Sequence, residues 1–253
     1  TPNDPYDYDA VQVPVLVDYP AQDGSMLKLM LFGNRNGFFY ILDRATGRFI
    51  NGEPYIDLNW AEGLDDVGRP IFTPQPPGTT TYPGVQGGTN WYSPSYSPST
   101  RLFYLSTWEG NGSNFEAQEA EYEPGRTFLG GRPAPPVPGA ALPNIARGPI
   151  NTWTESAGTG AVKALDPATG EERWTFEMTD VTSSGILTTV TDVLFTGGRE
   201  GYFHALDART GDLLWKTTLG GMIANGPISY SIDGRQYVAA ASGNGLFVFA
   251  LEE

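Results

Sequence analysis

The sequence predicts an all-β fold built from repeated four-stranded units, and three observations carry that prediction. A turn of the form Asp-x-x-Thr-Gly occurs at Asp43–Gly47, Asp166–Gly170 and Asp207–Gly211; Asp166 and Asp207 lie 41 residues apart, and Asp43 and Asp166 lie 123 apart, three times that spacing. The 32 glycines, 21 prolines and 13% aromatic content favour short strands and tight turns over helices. Short apolar runs bounded by turn residues recur along the chain. A period of about 40 residues made of short strands is the signature of a β-propeller blade, and 253 residues with two long loops leave room for about four blades.

Taken in order, the first strands are expected at Val13–Val17, Leu27–Phe32 and Phe38–Leu42, with Asn36-Gly37 as the hairpin turn between the second and third. In each turn copy the Asp carboxylate accepts from backbone amides, Thr does so more weakly, and Gly supplies the positive φ. Trp174 and Trp215 each stand eight residues after the turn Asp and are expected to pack between blades. Residues 51–88 and 107–158, the latter containing Ala134–Gly139, read as long loops capping one face of a single domain spanning 1–253. Further strands are expected near 185–190, 192–196, 201–206, 213–218, 225–231, 236–241 and 245–251.

Composition excludes several functions. A net charge of -14 and a sequence pI near 4.4 oppose nucleic acid or an anionic membrane as partner, which leaves a small neutral or cationic ligand. Without cysteine there is no disulfide, thiolate zinc site or Cys-x-x-Cys-His haem attachment. No 18-residue apolar run or basic-then-apolar start is present, so neither a membrane span nor a signal peptide is expected. The missing initiating Met fits a processed product or a piece of a longer protein.

The opening Asn3-Asp4-Pro5-Tyr6-Asp7-Tyr8-Asp9 is the densest functional candidate. If it is extended, Asp7 and Asp9 point to one side and Tyr6 and Tyr8 to the other. Two carboxylates on one face repel unless a cation or proton joins them, giving a hard-metal or acid/base site; the alternative is a solvated acidic loop. Gly87-Gly88-Thr89-Asn90-Trp91 combines an amide able to read a polar ligand edge with a large apolar face, although turn punctuation produces similar text.

With the repeat, the opening acids, Arg35 and Asn90 in view, the chain resembles the pyrroloquinoline quinone (PQQ)-dependent alcohol dehydrogenases, periplasmic eight-bladed propellers. The similarity runs over nearly the whole chain and corresponds to about the C-terminal half of such an enzyme. Thr1–Ala10 is similar to the family's Thr-Pro-x-Asp-x-Trp-Asp-Tyr-Asp-Gly segment. That resemblance implies that Asp7 touches the metal and accepts the alcohol proton. It implies that Asp9 is the extra acid marking lanthanide-using members, with Ca2+ the alternative ion. Asn34–Asp43 is similar to the segment whose basic residue, here Arg35, reaches the quinone carbonyls. Asn90 inherits a hydrogen bond to the cofactor, with Trp91 beside it. The family often has Trp-Gly-Gly where this chain has Ser183-Ser184-Gly185, so Ser183 and Gly185 take those cofactor-facing places, with Ser183 a departure from the pattern.

The same resemblance implies a small alcohol as substrate, a separate cytochrome c as electron acceptor and a periplasmic location. It also implies a partner for the chain, the N-terminal half of the propeller or another chain. That half carries the family's remaining metal ligands, its vicinal cysteine pair and its stacking tryptophan. A second reading is a non-catalytic propeller module for binding or assembly that kept the blade turns and lost the chemistry. His204, the single histidine, sits within an expected strand and reads as a packing residue. Ser95, Ser97 and Ser99 have no neighbouring base for nucleophilic catalysis, and Asn111-Gly112-Ser113 is a glycosylation triplet by pattern only.

Overall fold

The computed structural model describes residues 1–253 except 22, 77, 129, 134–157 and 252–253, so the segment Ala134–Gly139 lies outside the described residues. The first blade is a meander of β1 (Val15–Pro20), β2 (Met26–Gly33), β3 (Phe38–Asp43) and β4 (Phe49–Pro54). The small hairpin β5 (Ala61–Leu64) and β6 (Pro70–Phe72) comes next, within the expected 51–88 loop. The second blade takes β7 (Ser95–Ser97) and β8 (Leu102–Glu109), then, after the short pair β9 (Phe115–Ala117) and β10 (Gly131–Pro133), β11 (Thr159–Leu165) and β12 (Glu172–Glu177). β13 (Leu187–Thr188), β14 (Val193–Gly197), β15 (Tyr202–Asp207) and β16 (Leu213–Thr218) form the third blade. The fourth has three described strands, β17 (Ile228–Ile232), β18 (Arg235–Ser242) and β19 (Gly245–Phe249). All pairings are antiparallel, and the architecture is a partial β-propeller. No helix among the described residues is long and apolar enough to cross a membrane.

The three turn copies are built alike and join the last two strands of their blades. Asp43, Asp166 and Asp207 each accept through Oδ1 from the amide two residues on, at 2.8 Å in every case. Gly47, Gly170 and Gly211 take φ of 75°, 81° and 78°, a region open to glycine without a Cβ penalty. A register shift falls at the same place in each copy, between Ile41 and Leu42, Ala164 and Leu165, and Ala205 and Leu206.

Side chains just beyond each turn tie one blade to the next. Trp174 lays its ring against Gly211 of the next turn and donates from Nε1 to the Ala208 carbonyl at 3.1 Å. The first blade has Asn51 at the corresponding place, and its Nδ2 donates to the Thr169 carbonyl of the second turn at 2.8 Å. Trp215 departs from the expectation that it would be buried: it is 43% exposed, meeting Phe203 and Phe249 edge-on. Among the described residues the fourth blade presents no Asp-x-x-Thr-Gly turn to cover its outer face.

Apolar side chains fill the gaps between blades. Leu31, Phe39, Phe103 and Leu105 pack between the first and second, with the two phenylalanine rings stacked at 4.9 Å. Val162, Trp174, Leu194 and Leu206 pack between the second and third, and Phe203, Ile223, Val238 and Ala240 between the third and fourth. Polar ties cross the gap between the second and third blades: Tyr104 donates to the Ala208 carbonyl at 2.9 Å, and Ser99 donates to the Asp192 carboxylate at 2.5 Å, which Arg209 of the same third blade also reaches at 2.5 Å. Ser97 reaches the same carboxylate, so the alternating serines serve packing and capping. Asn111 is 2% exposed, which keeps the glycosylation triplet out of reach in the folded chain.

His204 is buried in β15 against Phe176 and Tyr202, in keeping with a packing role. Burial, helped by the Lys216 ammonium, pulls its pKa from the ordinary 6.5 down to about 4. A histidine held neutral in the fold contributes stability that is complete above the unfolded pKa and declines as pH falls toward the folded value. Denaturation measured from pH 7 to 4 should show a loss of up to roughly 3 kcal/mol that His204→Gln abolishes.

The turn glycines give a graded test. A Cβ at Gly211 would lie 2.6 Å from the Trp174 ring, whereas none of the protein lies within 4 Å of one at Gly47. Gly47→Ala should cost about 1 kcal/mol of backbone strain, and Gly211→Ala about 2–4 kcal/mol because overpacking adds to the same strain. Equal losses in urea titrations would show that the tryptophan–turn contact contributes nothing.

Candidate functional site

The opening acids are held in a turn, so the alternation of Asp and Tyr does not sort their side chains as it would in an extended strand. Asp4 bends the chain by accepting from the amides of Tyr6, at 2.7 Å, and Tyr8. Asp7 then takes a left-handed φ of 65°. Tyr8, 2% exposed, donates to the Pro83 carbonyl at 2.5 Å and packs on Trp60, whose Nε1 donates to the Asn36 carbonyl at 3.0 Å. Tyr6 lies against the same two rings. The tyrosines therefore anchor the turn on the first blade, and Asp7 and Asp9 remain exposed.

Arg35 comes from the β2–β3 turn, where its side chain is 11% exposed and reaches Asp7 Oδ2 at 3.5 Å. Its Nε donates to the Val85 carbonyl at 3.0 Å, and Nη2 donates to the same oxygen. Gly87 makes this position possible: at φ 76°, a Cβ there would fall 2.1 Å from Arg35 Cγ and 2.4 Å from its carbonyl oxygen. Gly88 donates to that carbonyl at 3.0 Å, so the glycine pair clamps the Asn90 loop onto Arg35.

The Asp7 carboxyl is pushed above its ordinary value. Partial loss of solvent around this largely exposed group is the first cause; Arg35 opposes it, and Asp9, through charge and a side-chain hydrogen bond, and Asp4 reinforce it. Two carboxyls in that relation hold either a proton or a cation between them. Among the described residues no group of three or more His, Cys, Asp or Glu side chains could hold a metal, so Asp7 and Asp9 offer a pair of hard oxygen donors and not a closed ligand set.

Asn90 Nδ2 donates to the Gln86 carbonyl at 2.9 Å and Oδ1 accepts from the Trp91 amide at 2.9 Å, which leaves one N–H and one lone pair for a ligand. Trp91 is 55% exposed, its ring edge toward Tyr92. Ser183 and Gly185 lie across the next gap. The Ile186 amide donates to the Ser93 carbonyl at 2.9 Å, tying their segment to the Asn90 loop. Gly185 is buried where a Cβ would meet Gly226 Cα at 2.9 Å and the Ser93 backbone at 3.3 Å, so it serves close packing of three loops. Ser183 is half-buried. The structure thus brings Asp7, Asp9 and Arg35 into one cluster, clamps the Asn90–Trp91 loop to it, and sets Ser183 on the neighbouring loop. Sequence reading missed Asp4 as the turn's cap, Gly87 as the seat of Arg35, and Gln12 and Tyr92 as buried polar groups; only Asp4, with acceptor oxygens two residues before Tyr6, carried a local signal.

Residues 158–252 match a family model described as outer membrane protein assembly factor BamB. Over 97% of its length the chain is 34% identical to the quinoprotein alcohol dehydrogenase PedH of Pseudomonas putida KT2440, of which it covers 40%. Among solved structures it superposes on a quinohemoprotein alcohol dehydrogenase, ADHIIG, of Pseudomonas putida HK5 with a TM-score of 0.82 and 28% identity, covering 97% of this chain and 36% of that one. A europium-containing methanol dehydrogenase gives a TM-score of 0.79 at 30% identity, over 96% of this chain and 41% of that one. The chain thus spans about two fifths of the length of the relatives it matches.

The charge balance around Asp7 has a measurable sign. Asp9→Asn should lower the Asp7 pKa toward the ordinary 3.8 by removing a like charge, and Arg35→Gln should raise it further. Carboxyl-carbon NMR titration reads both shifts; an Asp7 that titrates identically in the parent and Asp9→Asn would break the link between the two acids.

Proposed function

Because the chain belongs to the quinoprotein alcohol dehydrogenase family, we propose that it forms the part of such an enzyme that supplies the proton acceptor, the quinone-facing cation and two metal oxygens. The observation that carries this reading is the contact of Asp7 with Arg35 while the neighbouring Asp9 opposes ionisation of Asp7. PQQ, when bound, supplies the hydride acceptor, and Ca2+ or a trivalent lanthanide ion supplies a Lewis acid.

The residues present fit both groups. Asp7 and Asp9 would hold the ion, and relief of their repulsion favours a cation of high charge, so the second acid supports the lanthanide. Asp7, exposed beside Arg35, would accept the hydroxyl proton of a small primary alcohol. Arg35, fixed by the Val85 carbonyl and by Gly87, would hold its guanidinium charge toward an oxygen of the bound cofactor and stabilise negative charge there. Asn90 would give its remaining donor and acceptor to the polar edge of the cofactor, and the exposed Trp91 would offer a ring face to it. Ser183 contributes a hydroxyl where an aromatic face is common in the family, while Gly185 acts through packing.

Family membership supports further proposals. The N-terminal half of the propeller, or another chain, covers Trp215 and the exposed apolar residues of the fourth blade, such as Ile228, Leu246 and Val248. Electrons leave to a cytochrome c, and the protein works in the periplasm. A module for binding or assembly is a second reading, favoured by the match of residues 158–252 to the assembly-factor family.

Dye reduction by a primary alcohol, with PQQ and either Ca2+ or a light lanthanide, tests the proposal on this chain alone and together with the N-terminal half. Turnover should need both parts and be faster with the lanthanide. Asp7→Asn should lower kcat by about 100-fold or more, in the range of a lost general base. Inactivity of the reconstituted pair with either ion would leave the assembly reading; activity with Ca2+ alone would remove the role given to Asp9.

A further inference from the structure

Gln12 lies three residues beyond Asp9 and is 6% exposed, yet neither its amide nitrogen nor its amide oxygen has a hydrogen-bond partner among the described residues. Tyr92, 4% exposed, has a hydroxyl in the same condition. The Trp108 indole N–H beside that hydroxyl donates to the Thr182 carbonyl. Gln12 and Tyr92 line one cavity with Thr89 and Asn90, and Phe103 and Leu105 form part of its apolar wall. The cavity has room for about one water molecule. Buried polar groups left without partners bear the full cost of desolvation, whereas a water in such a space typically makes about three hydrogen bonds.

We propose that the cavity between Gln12 and Tyr92 is a binding site for one ordered water molecule, which fastens the segment carrying Asp7 and Asp9 to the Asn90 loop. The amide can donate to the water through Nε2 or accept from it at Oε1, and the phenol can do either. The other polar side chains lining this wall each have a partner elsewhere, Thr89 donating to the Ser106 carbonyl at 2.7 Å and Asn90 donating to that of Gln86, whereas the Gln12 amide and the Tyr92 hydroxyl have none among the described residues. The water therefore joins two stretches of chain that no direct side-chain bond joins at this point. Gln12 then acts on the site as a positioning residue, through the water and Tyr92, two residues from Asn90.

A crystal structure of the purified protein at a resolution that shows ordered solvent should contain one peak within hydrogen-bonding distance of both the Gln12 amide and the Tyr92 hydroxyl. A dry cavity, or density larger than a water, overturns the proposal. Gln12→Met and Tyr92→Phe keep the volume and remove the polar groups. If the water is shared, each single change lowers the melting temperature by about 2–4 °C, the pair costs less than the sum, and amide exchange rises at residues 89–92. A dry cavity predicts the reverse: each variant melts at or above the parent temperature, the effects add, and exchange is unchanged.

Discussion

A propeller blade is a thin sheet whose two faces are both apolar, so everything in this chain depends on how one blade is fixed against the next. The device is repeated: the side chain eight residues after the turn Asp docks on the next turn along the chain, as Trp174 on Gly211 and Ala208, and Asn51 on Thr169. The aromatic version covers apolar area and makes a hydrogen bond; the amide version keeps only the hydrogen bond. Because the turn is stiffened by its own Asp–amide bonds and its glycine, the docking side chain meets a rigid surface.

Fixing the blades also fixes the loops between them. Arg35 leaves the first blade from the β2–β3 turn, and the Asn90 loop enters the second, yet the clamp of Gly87 and Gly88 on Arg35 makes them one body. Tyr8 and Trp60 do the same for the acids. The catalytic candidates therefore sit on turns and loops, and their rigidity comes from aromatic packing and close glycine contacts beneath them. A buried lysine shows the same economy, with Lys163 donating to the Tyr55 carbonyl at 2.8 Å across the gap while paired with Glu109 and Glu172.

The fold was legible because its information is local and periodic. The turn copies at Asp43, Asp166 and Asp207 carry their own hydrogen bonds, and the 41-residue step from Asp166 to Asp207 is one blade; the 123 residues from Asp43 to Asp166 also separate adjacent blades, because the residues between them include the β5–β6 hairpin and the β9–β10 insertion, so that multiple of the period is fortuitous. The exposure of Trp215 was not legible, because burial there depends on a partner surface from another blade. The turn at Asp4–Asp9 was not legible, since alternation of Asp and Tyr also fits a strand, and only the Asp4 cap and the left-handed Asp7 decide for the turn. Nearness of Asp7, Arg35 and Asn90 came from family resemblance; spacing could not show it, since the clamp rests on contacts between residues some 50 apart in sequence.

The fourth blade has one more consequence, for the behaviour of the molecule in solution. Its β19, Gly245-Leu246-Phe247-Val248-Phe249, carries no charge and lies at an edge of its sheet, with Leu246 and Val248 exposed. An uncharged edge of high β-propensity is a template for chain-to-chain pairing. What holds separate molecules apart is long-range repulsion from a net charge of -14, which vanishes near pH 4.4. Colloidal stability of this chain is thus set by its carboxylates, and mild acid turns an orderly blade edge into a nucleus for precipitation.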